Sequence, residues 1–261
     1  MVYPSAVVST TESPAPVALE THVFGPTLMP GYLMPRFYRR LVTRLANGGA
    51  VAYHPMTDRG GLGRTDRIVD SLRGYLEDAR ADGRQVQLAG HSLGGVVAWV
   101  LTHEYPDVVR VAELWSTPVR GTALSNVMVP VAEARFLARA SRWLRNYDRP
   151  VSGPLVRSVY STLDQLAVPS TRVCYIEGDT AENHLVSPVA VPRRLRGRNV
   201  QLHRGVADHV FLPRLPSINR ELGRVRANDD GAHDGPVEDG QVEDGPVDVV
   251  TTTTTTRAAL A

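Results

Sequence analysis

The sequence predicts a protein of the α/β class, with a mostly parallel, doubly wound sheet. Short runs rich in β-branched residues alternate with amphipathic stretches of helical length, which is the pattern of parallel strands joined by covering helices. The chain has 261 residues, of which 43% are hydrophobic and 21% charged, close to the average for globular proteins. We therefore expect one main domain with one sizeable core.

Six runs are typical of strands and four stretches of helices. The predicted strands are Ala18–Phe24, Ala50–His54, Gln85–Ala89, Val109–Ser116, Arg172–Glu177 and Asn199–Gly205. The predicted helices are Pro35–Ala46, Asp66–Ala79, Leu93–Glu104 and Leu215–Arg224. Between 127 and 166 two helical segments follow each other with no strand between them, which predicts a short helical cap over about 123–170.

The two ends of the chain differ in composition from the predicted domain at 17–226. Residues 227–261 have too little apolar surface to offset the entropy of ordering, so we expect the tail to be disordered. We expect the same of residues 1–16. The tail repeats a five-residue unit from Asp234 to Asp248 and continues with six threonines, Thr251 to Thr256. It has a net charge of −7, which leaves +9 on residues 1–226. Such a tail can mean contact with nucleic acid, folding back on the body, or solubility alone.

Composition also excludes several classes of function. All 29 basic residues are arginine, which rules out Schiff-base lysines and lysine-dependent phosphate loops. The single cysteine, Cys174, cannot form an internal disulfide, and no zinc-ligand spacing surrounds it. We expect no metal, no cofactor, no nucleic acid and no integral membrane segment. No secretory signal is visible, which predicts a cytoplasmic protein.

The segment with chemical potential is Gly90-His-Ser92-Leu-Gly94, between a predicted strand and a predicted helix. A serine on such a sharp turn takes a strained backbone conformation that exposes its hydroxyl, and the glycines let strand and helix approach closely. The amide of Leu93 then lies in the first turn of the helix, where it points at an anion forming beside the hydroxyl. The spacing predicts a nucleophilic serine at position 92.

This segment resembles the nucleophile elbow of α/β-hydrolases, particularly bacterial lipases and esterases. A second segment, Thr117-Pro118-Val-Arg-Gly121-Thr122, is similar to a turn in bacterial lipases, with Val119 where those often have histidine. The resemblance implies the order nucleophile, acid, histidine along the chain. It implies that His209, in the loop after the last strand, is the base in preference to His203.

For the acid, the resemblance points to the loop after the predicted strand Arg172–Glu177. Asp179 and Glu182 are the candidates there, with Asn183 at the position where the family often has Asp-x-Leu-Val. A site with an amide or with no acid stays open. The second oxyanion donor is expected from Leu28 or Met29, because Pro26 has no amide hydrogen.

His91, beside the serine, is expected to pack in the interior or to shape the entrance as a substrate contact, and Phe136 and Trp143 in the cap are expected to contact the substrate. The cap residues equally suit two helices packed on the body. The favoured function is a serine hydrolase of a small-molecule or lipid-like carboxylic ester, with thioesters and lactones as variants. The alternatives are an acyltransferase or cyclase using the same acyl-enzyme, and a non-catalytic binding protein that lacks a working acid. The oligomeric state is left open.

Overall fold

The structure is a computed structural model that describes residues 19–25, 29, 31–46, 49–55, 65–122, 142–193 and 199–229. Its strands are β1 (Glu20–Phe24), β2 (Val51–His54), β3 (Val86–His91), β4 (Val109–Trp115), β5 (Leu155–Ser161), β6 (Ala181–Ser187) and β7 (Val200–Arg204). Its helices are α1 (Met34–Ala46), α2 (Thr65–Ala81), α3 (Leu93–Glu104), α4 (Arg142–Arg145), α5 (Ser170–Val173) and α6 (Pro216–Asp229). Two 3-10 turns lie at Gly31–Leu33 and Leu212–Arg214.

The seven strands form one sheet in the order β2-β1-β3-β4-β5-β6-β7, and every described pair is parallel. The chain moves outward from β1 to β2 and then returns to the other side of β1 for β3. In parallel sheets the carboxyl ends of strands at such a reversal border a crevice in which ligands bind. The prediction of an α/β fold with a mostly parallel sheet is confirmed, and β3 lies inside the sheet between β1 and β4.

Helices cover both faces of the sheet. The helix α3 is buried on nearly all sides because it lies between the sheet and α2, and its ten buried residues include Val96, Val97 and Trp99. On the opposite face, α1 and α6 pack together over a second core. The buried side of α1 comes from residues spaced three and four apart, among them Tyr38, Leu41 and Leu45, as helical periodicity requires.

Two strands of the sheet lie where the sequence predicted none. The expected strand at Arg172–Glu177 is instead the short helix α5 followed by irregular chain, whereas β5 runs through the expected cap and β6 follows it. Both strands contain buried polar residues, Arg157 in β5 and Asn183 and His184 in β6, which hide the apolar pattern of a central strand. The part of the expected cap at 123–141 and both terminal segments expected to be disordered, except 227–229 in α6, lie outside the described residues.

Buried and partly buried charged residues of β4, β5, β6 and α1 form ion pairs with one another. Arg44 of α1 donates to both carboxylate oxygens of Glu113 in β4, at 2.6 and 2.5 Å. Arg157 lies between Glu113 and Glu182 and donates to the latter at 2.7 Å. A buried charge is tolerated only when it is paired in this way. The described helices include none with the length and hydropathy needed to cross a membrane.

Candidate active site

Ser92 lies on a strained turn between β3 and α3. Its φ of 56° and ψ of −122° are rare for a residue with a side chain, and its amide is fixed by a 2.9 Å bond to the carbonyl of Trp115. A Cβ on Gly90 would come within 2.4 Å of Gly95 Cα, and one on Gly94 within 2.4 Å of the Gly25 carbonyl oxygen. The glycines are therefore required by close backbone packing, as the motif predicts. Ser92 is partly exposed at the carboxyl edge of the sheet.

The imidazole of His209 lies in the loop after β7, at the same edge. Its Nδ1 donates to Asp164, with distances of 2.9 Å to Oδ1 and 3.0 Å to Oδ2. Because a carboxylate accepts only, the proton of the neutral ring is on Nδ1, and Nε2 is left as an acceptor. Nε2 is buried and has no hydrogen-bond partner among the described residues. The lone pair on Nε2 is thus available to accept a proton.

Asp164 lies in the loop after β5 and is held by its own backbone surroundings. Its Oδ1 accepts the amides of Leu166 at 2.9 Å and Ala167 at 2.7 Å. Burial alone would raise the pKa of this carboxyl, but the bond and charge of His209 and the Ala167 amide hold it below its ordinary value. Asp164 is therefore an ionised, positioned partner of His209.

The residues expected from the sequence to supply the acid do not contact His209. Asp179 is exposed in the turn before β6, and Glu182 is bound to His184 and Arg157, which hold its pKa near 2. The side chain of Asn183 accepts a hydrogen bond from the amide of Ile176 and donates one to its carbonyl. All three lie at the amino end of β6, whereas His209 is beyond the carboxyl end of β7. The expectation of Asp179 or Glu182 as partner of the base is corrected to Asp164.

A sequence signal for Asp164 was present. The segment Asp164-Gln-Leu166-Ala167 has the aspartate and the leucine of the Asp-x-Leu-Val pattern and differs from it only in the last residue. It follows the β-branched run Leu155–Ser161. The expected cap covers this run, whose apolar pattern Arg157 and two serines interrupt. The structure pairs that arginine with carboxylates, so the interruption is only apparent.

His91 joins the serine turn to the loop that contains His209. Its Nε2 donates to the backbone carbonyl of His209 at 2.7 Å, so its Nδ1 accepts the hydroxyl of Tyr38 at 2.9 Å. Burial and the neighbouring His209 lower its pKa to about 3, which keeps the ring neutral. The side chain is 1% exposed, so His91 has the interior position that was one of the two expectations, and the expectation of a substrate contact is corrected.

The loops around Ser92 are tied to the same frame. The hydroxyl of Ser161 donates to the Ala207 carbonyl at 2.6 Å, a second bond that holds the His209 loop against β5. A Cβ on Gly95 would come within 1.8 Å of Thr117 Oγ1, so the turn after β4 packs directly on the start of α3. Both segments that resemble lipase motifs thus contact each other.

The structure describes only some of the remaining expected site residues. Leu93 is the first residue of α3, so its amide is one of the unpaired donors of a helix start. Met29 is half-buried against the core beneath α1. Trp143 is in α4, where its side chain is outside the described residues, as are Leu28 and Phe136 entirely. The described residues contain no cluster that could bind a metal ion.

Comparison with solved structures gives matches of low sequence identity over most of the chain. A metagenome-derived lipolytic enzyme aligns with a TM-score of 0.54 and 11% identity, over 83% of this chain and 94% of its own. The monoacylglycerol lipase of Paleococcus ferrophilus gives 0.50 and 14%, over 82% and 95%. The chain has the α/β-hydrolase fold.

A third match with the α/β-hydrolase fold, Aspergillus fumigatus lipase B, has a TM-score of 0.53 and 13% identity. It covers 64% of this chain, which spans less than half (44%) of that protein. No protein-family model matches the sequence, and curated proteins give no significant match. At these identities the comparisons establish the fold, and the chemistry depends on the site geometry.

Proposed function

We propose that the protein is a serine hydrolase that cleaves carboxylic esters through an acyl-enzyme on Ser92. One observation supports this most strongly: His91, the covalent neighbour of Ser92, hydrogen-bonds the backbone of His209, whose Nδ1 is bonded to Asp164. Ser92, the His209 imidazole with its proton on Nδ1 and the buried Asp164 carboxylate are therefore linked at one edge of the sheet. The lipase and esterase neighbours agree with this reaction class.

In the proposed reaction Ser92 Oγ attacks the ester carbonyl while His209 Nε2 takes its proton. The amide of Leu93 stabilises the oxyanion, aided by the positive end of the α3 dipole. Collapse of the tetrahedral intermediate expels the alcohol, which receives the proton from His209. Water, deprotonated by the same nitrogen, then releases the acid and restores the serine. Asp164 holds the ring and stabilises the imidazolium without taking its proton.

The buried carboxylate also weakens the case for a non-catalytic binding protein. That alternative was motivated by Asn183 at the expected acid position, and Asp164 supplies the missing group. Cys174 is no rival nucleophile, because burial raises the pKa of its thiol well above the usual range.

The test is a panel of p-nitrophenyl esters of graded acyl length, assayed with the wild type, Ser92→Ala and His209→Ala. Each substitution is expected to lower kcat by about 10⁴- to 10⁶-fold, with unchanged melting temperature. Asp208→Asn, which alters the neighbour of the base, is the matched control and should retain most activity. Residual activity of either triad variant within tenfold of the wild type would contradict the proposal.

A further inference from the structure

The loops around Ser92 have an unusual surface. Within the described residues, all nine exposed large hydrophobic side chains lie in loops after β1, β5, β6 and β7, at the carboxyl edge of the sheet. Tyr32 is 81% exposed, Val206 73% and Phe211 54%. Exposed apolar groups concentrated in this way mark an interaction surface. The nine residues are Tyr32, Leu33, Leu163, Leu166, Val168, Val189, Val206, Val210 and Phe211.

Arginines border these apolar side chains. Arg36 follows Tyr32 in the first turn of α1, and Arg214 follows Phe211, with its guanidinium 5.5 Å from the centre of the Phe37 ring. Arg40 donates to the Arg214 carbonyl, which joins α1 to this loop, and Arg204 ends β7. The structure records no ion pair of these four arginines with a described carboxylate. We call the nine apolar residues and these four arginines the rim.

The carboxylates of the same loops do not neutralise the rim. In the described parts of the loops they are Asp164, which is bound to His209, and Asp208, whose Oδ1 accepts the amides of Val210 and Phe211. The rim is therefore a cationic and apolar surface around the serine. An occupant must offer carboxylates or phosphates together with apolar groups.

The tail repeats of this chain have that chemistry. Residues 234–248 are Asp-Gly-Pro-Val-Glu, Asp-Gly-Gln-Val-Glu and Asp-Gly-Pro-Val-Asp, so each unit places one valine between two carboxylates. The 14-residue helix α6 starts beside Arg214 and is about 21 Å long. The repeats end 19 residues beyond its last residue, a stretch that extends to about 60 Å. They are therefore long enough to return along α6 to the rim.

We propose that the acidic repeats at 234–248 dock on the rim and obstruct access to Ser92. The contact is held by charge attraction to the rim arginines and by the valines against the exposed apolar side chains. A tethered segment acts at millimolar effective concentration, so a weak contact suffices for partial occlusion. The occlusion is expected to weaken with salt, because the attraction between exposed charges is screened. Its effect on turnover rests on the proposed ester hydrolysis, whereas the docking itself does not.

The first experiment measures docking independently of activity. A fluorescein-labelled peptide of residues 234–248 is titrated into a full-length variant whose own repeats are neutralised, and anisotropy is recorded at low and high salt. Saturable binding that is lost at about 0.5 M NaCl supports the proposal, as does at least fivefold weaker binding to Arg36→Gln/Arg214→Gln added to that variant. Arg110→Gln, an exposed arginine near the amino end of β4, is the matched control. The neutralised repeats carry Asp234→Asn, Glu238→Gln, Asp239→Asn, Glu243→Gln, Asp244→Asn and Asp248→Asn.

The second experiment measures occlusion. The neutralised tail is expected to raise kcat/KM for a soluble ester by about threefold to tenfold at low salt and to leave it unchanged at high salt. Replacing Thr251 to Thr256 by serine alters six positions of the same tail without removing charge, and should change nothing. Absence of peptide binding overturns the docking, and binding with equal kcat/KM overturns the occlusion. Binding of anionic vesicles to the rim that the peptide does not displace would assign the surface to lipid instead. If no variant hydrolyses esters, the proposed function fails, while the peptide titration still decides the docking.

Discussion

The substitution Asp164→Asn tests the inferred triad, because it changes which nitrogen of the His209 ring has the proton. Oδ1 accepts the amides of Leu166 and Ala167, so in asparagine the carbonyl oxygen must occupy that position. The NH2 group then takes the place of Oδ2, 3.0 Å from His209 Nδ1. Because NH2 donates and cannot accept from Nδ1, it favours the tautomer that accepts at Nδ1 and has its proton on Nε2, while only the carbonyl oxygen, 2.9 Å away, still accepts from Nδ1. In that tautomer Nε2 cannot take the proton of Ser92, and in either tautomer the charge that stabilises the imidazolium is lost.

The expected loss in kcat is about 10⁴-fold, the effect of the wrong tautomer in a serine triad. KM should change little, because the carboxylate is buried behind the imidazole and does not face the substrate. Initial rates with a short-chain p-nitrophenyl ester give both constants. The melting temperature, followed by circular dichroism, shows whether the variant is folded.

Asp179→Asn is the matched control, since it removes an exposed carboxylate that the sequence had suggested for the same role. It should retain at least half of the wild-type kcat. The reasoning is refuted if Asp164→Asn keeps more than a tenth of the wild-type kcat while folded, or if the two variants lose activity equally.

Three further substitutions probe the frame around the site. His91→Phe removes the bond to the His209 carbonyl and should lower kcat about 10²-fold, the effect of a misplacement of about 1 Å; a kcat within threefold would argue against a positioning role. Gly95→Ala places a Cβ against Thr117 and should lower the free energy of unfolding by about 1–3 kcal/mol in urea titrations, whereas the exposed Gly74→Ala should not. The pKa of Glu182 is depressed to about 2, so its stabilising charge is present above about pH 4.5 and is lost as the pH falls towards 2. Thermal melts of Glu182→Gln should accordingly depend less on pH in that interval, and identical slopes would contradict the pairing.

The sequence was most informative where local geometry allows few solutions. A serine between glycines at the junction of a strand and a helix can hardly adopt another backbone, and Ser92 has the positive φ that the motif requires. The strands β1 to β4 and β7 were predicted close to their observed bounds because their apolar runs are short and bordered by turn residues. For the same reason the loop containing His209 was correctly placed after the last strand.

Asp164 was not predicted as the partner of His209 because β5 and β6 contain buried charged and polar residues, whereas buried strands are usually apolar. Arg157 and Glu182 pair with each other across the two strands, and the pairing appears only when the strands are neighbours. Single residues in a sequence carry no sign of such a partner. Because β5 and β6 were not predicted, the loop expected to contain the acid was placed where β6 begins, at the amino end of the strand.

The claim that Ser92 is a nucleophile activated by His209 is tested most directly by covalent labelling. The wild type is treated with a fluorophosphonate, and the intact mass and a peptide digest are measured by mass spectrometry. One adduct per chain is expected, located on the peptide containing Ser92 and absent from Ser92→Ala, with at least a hundredfold slower labelling of His209→Ala. A wild type that stays unlabelled, or an adduct on another residue that persists in Ser92→Ala, would contradict the account.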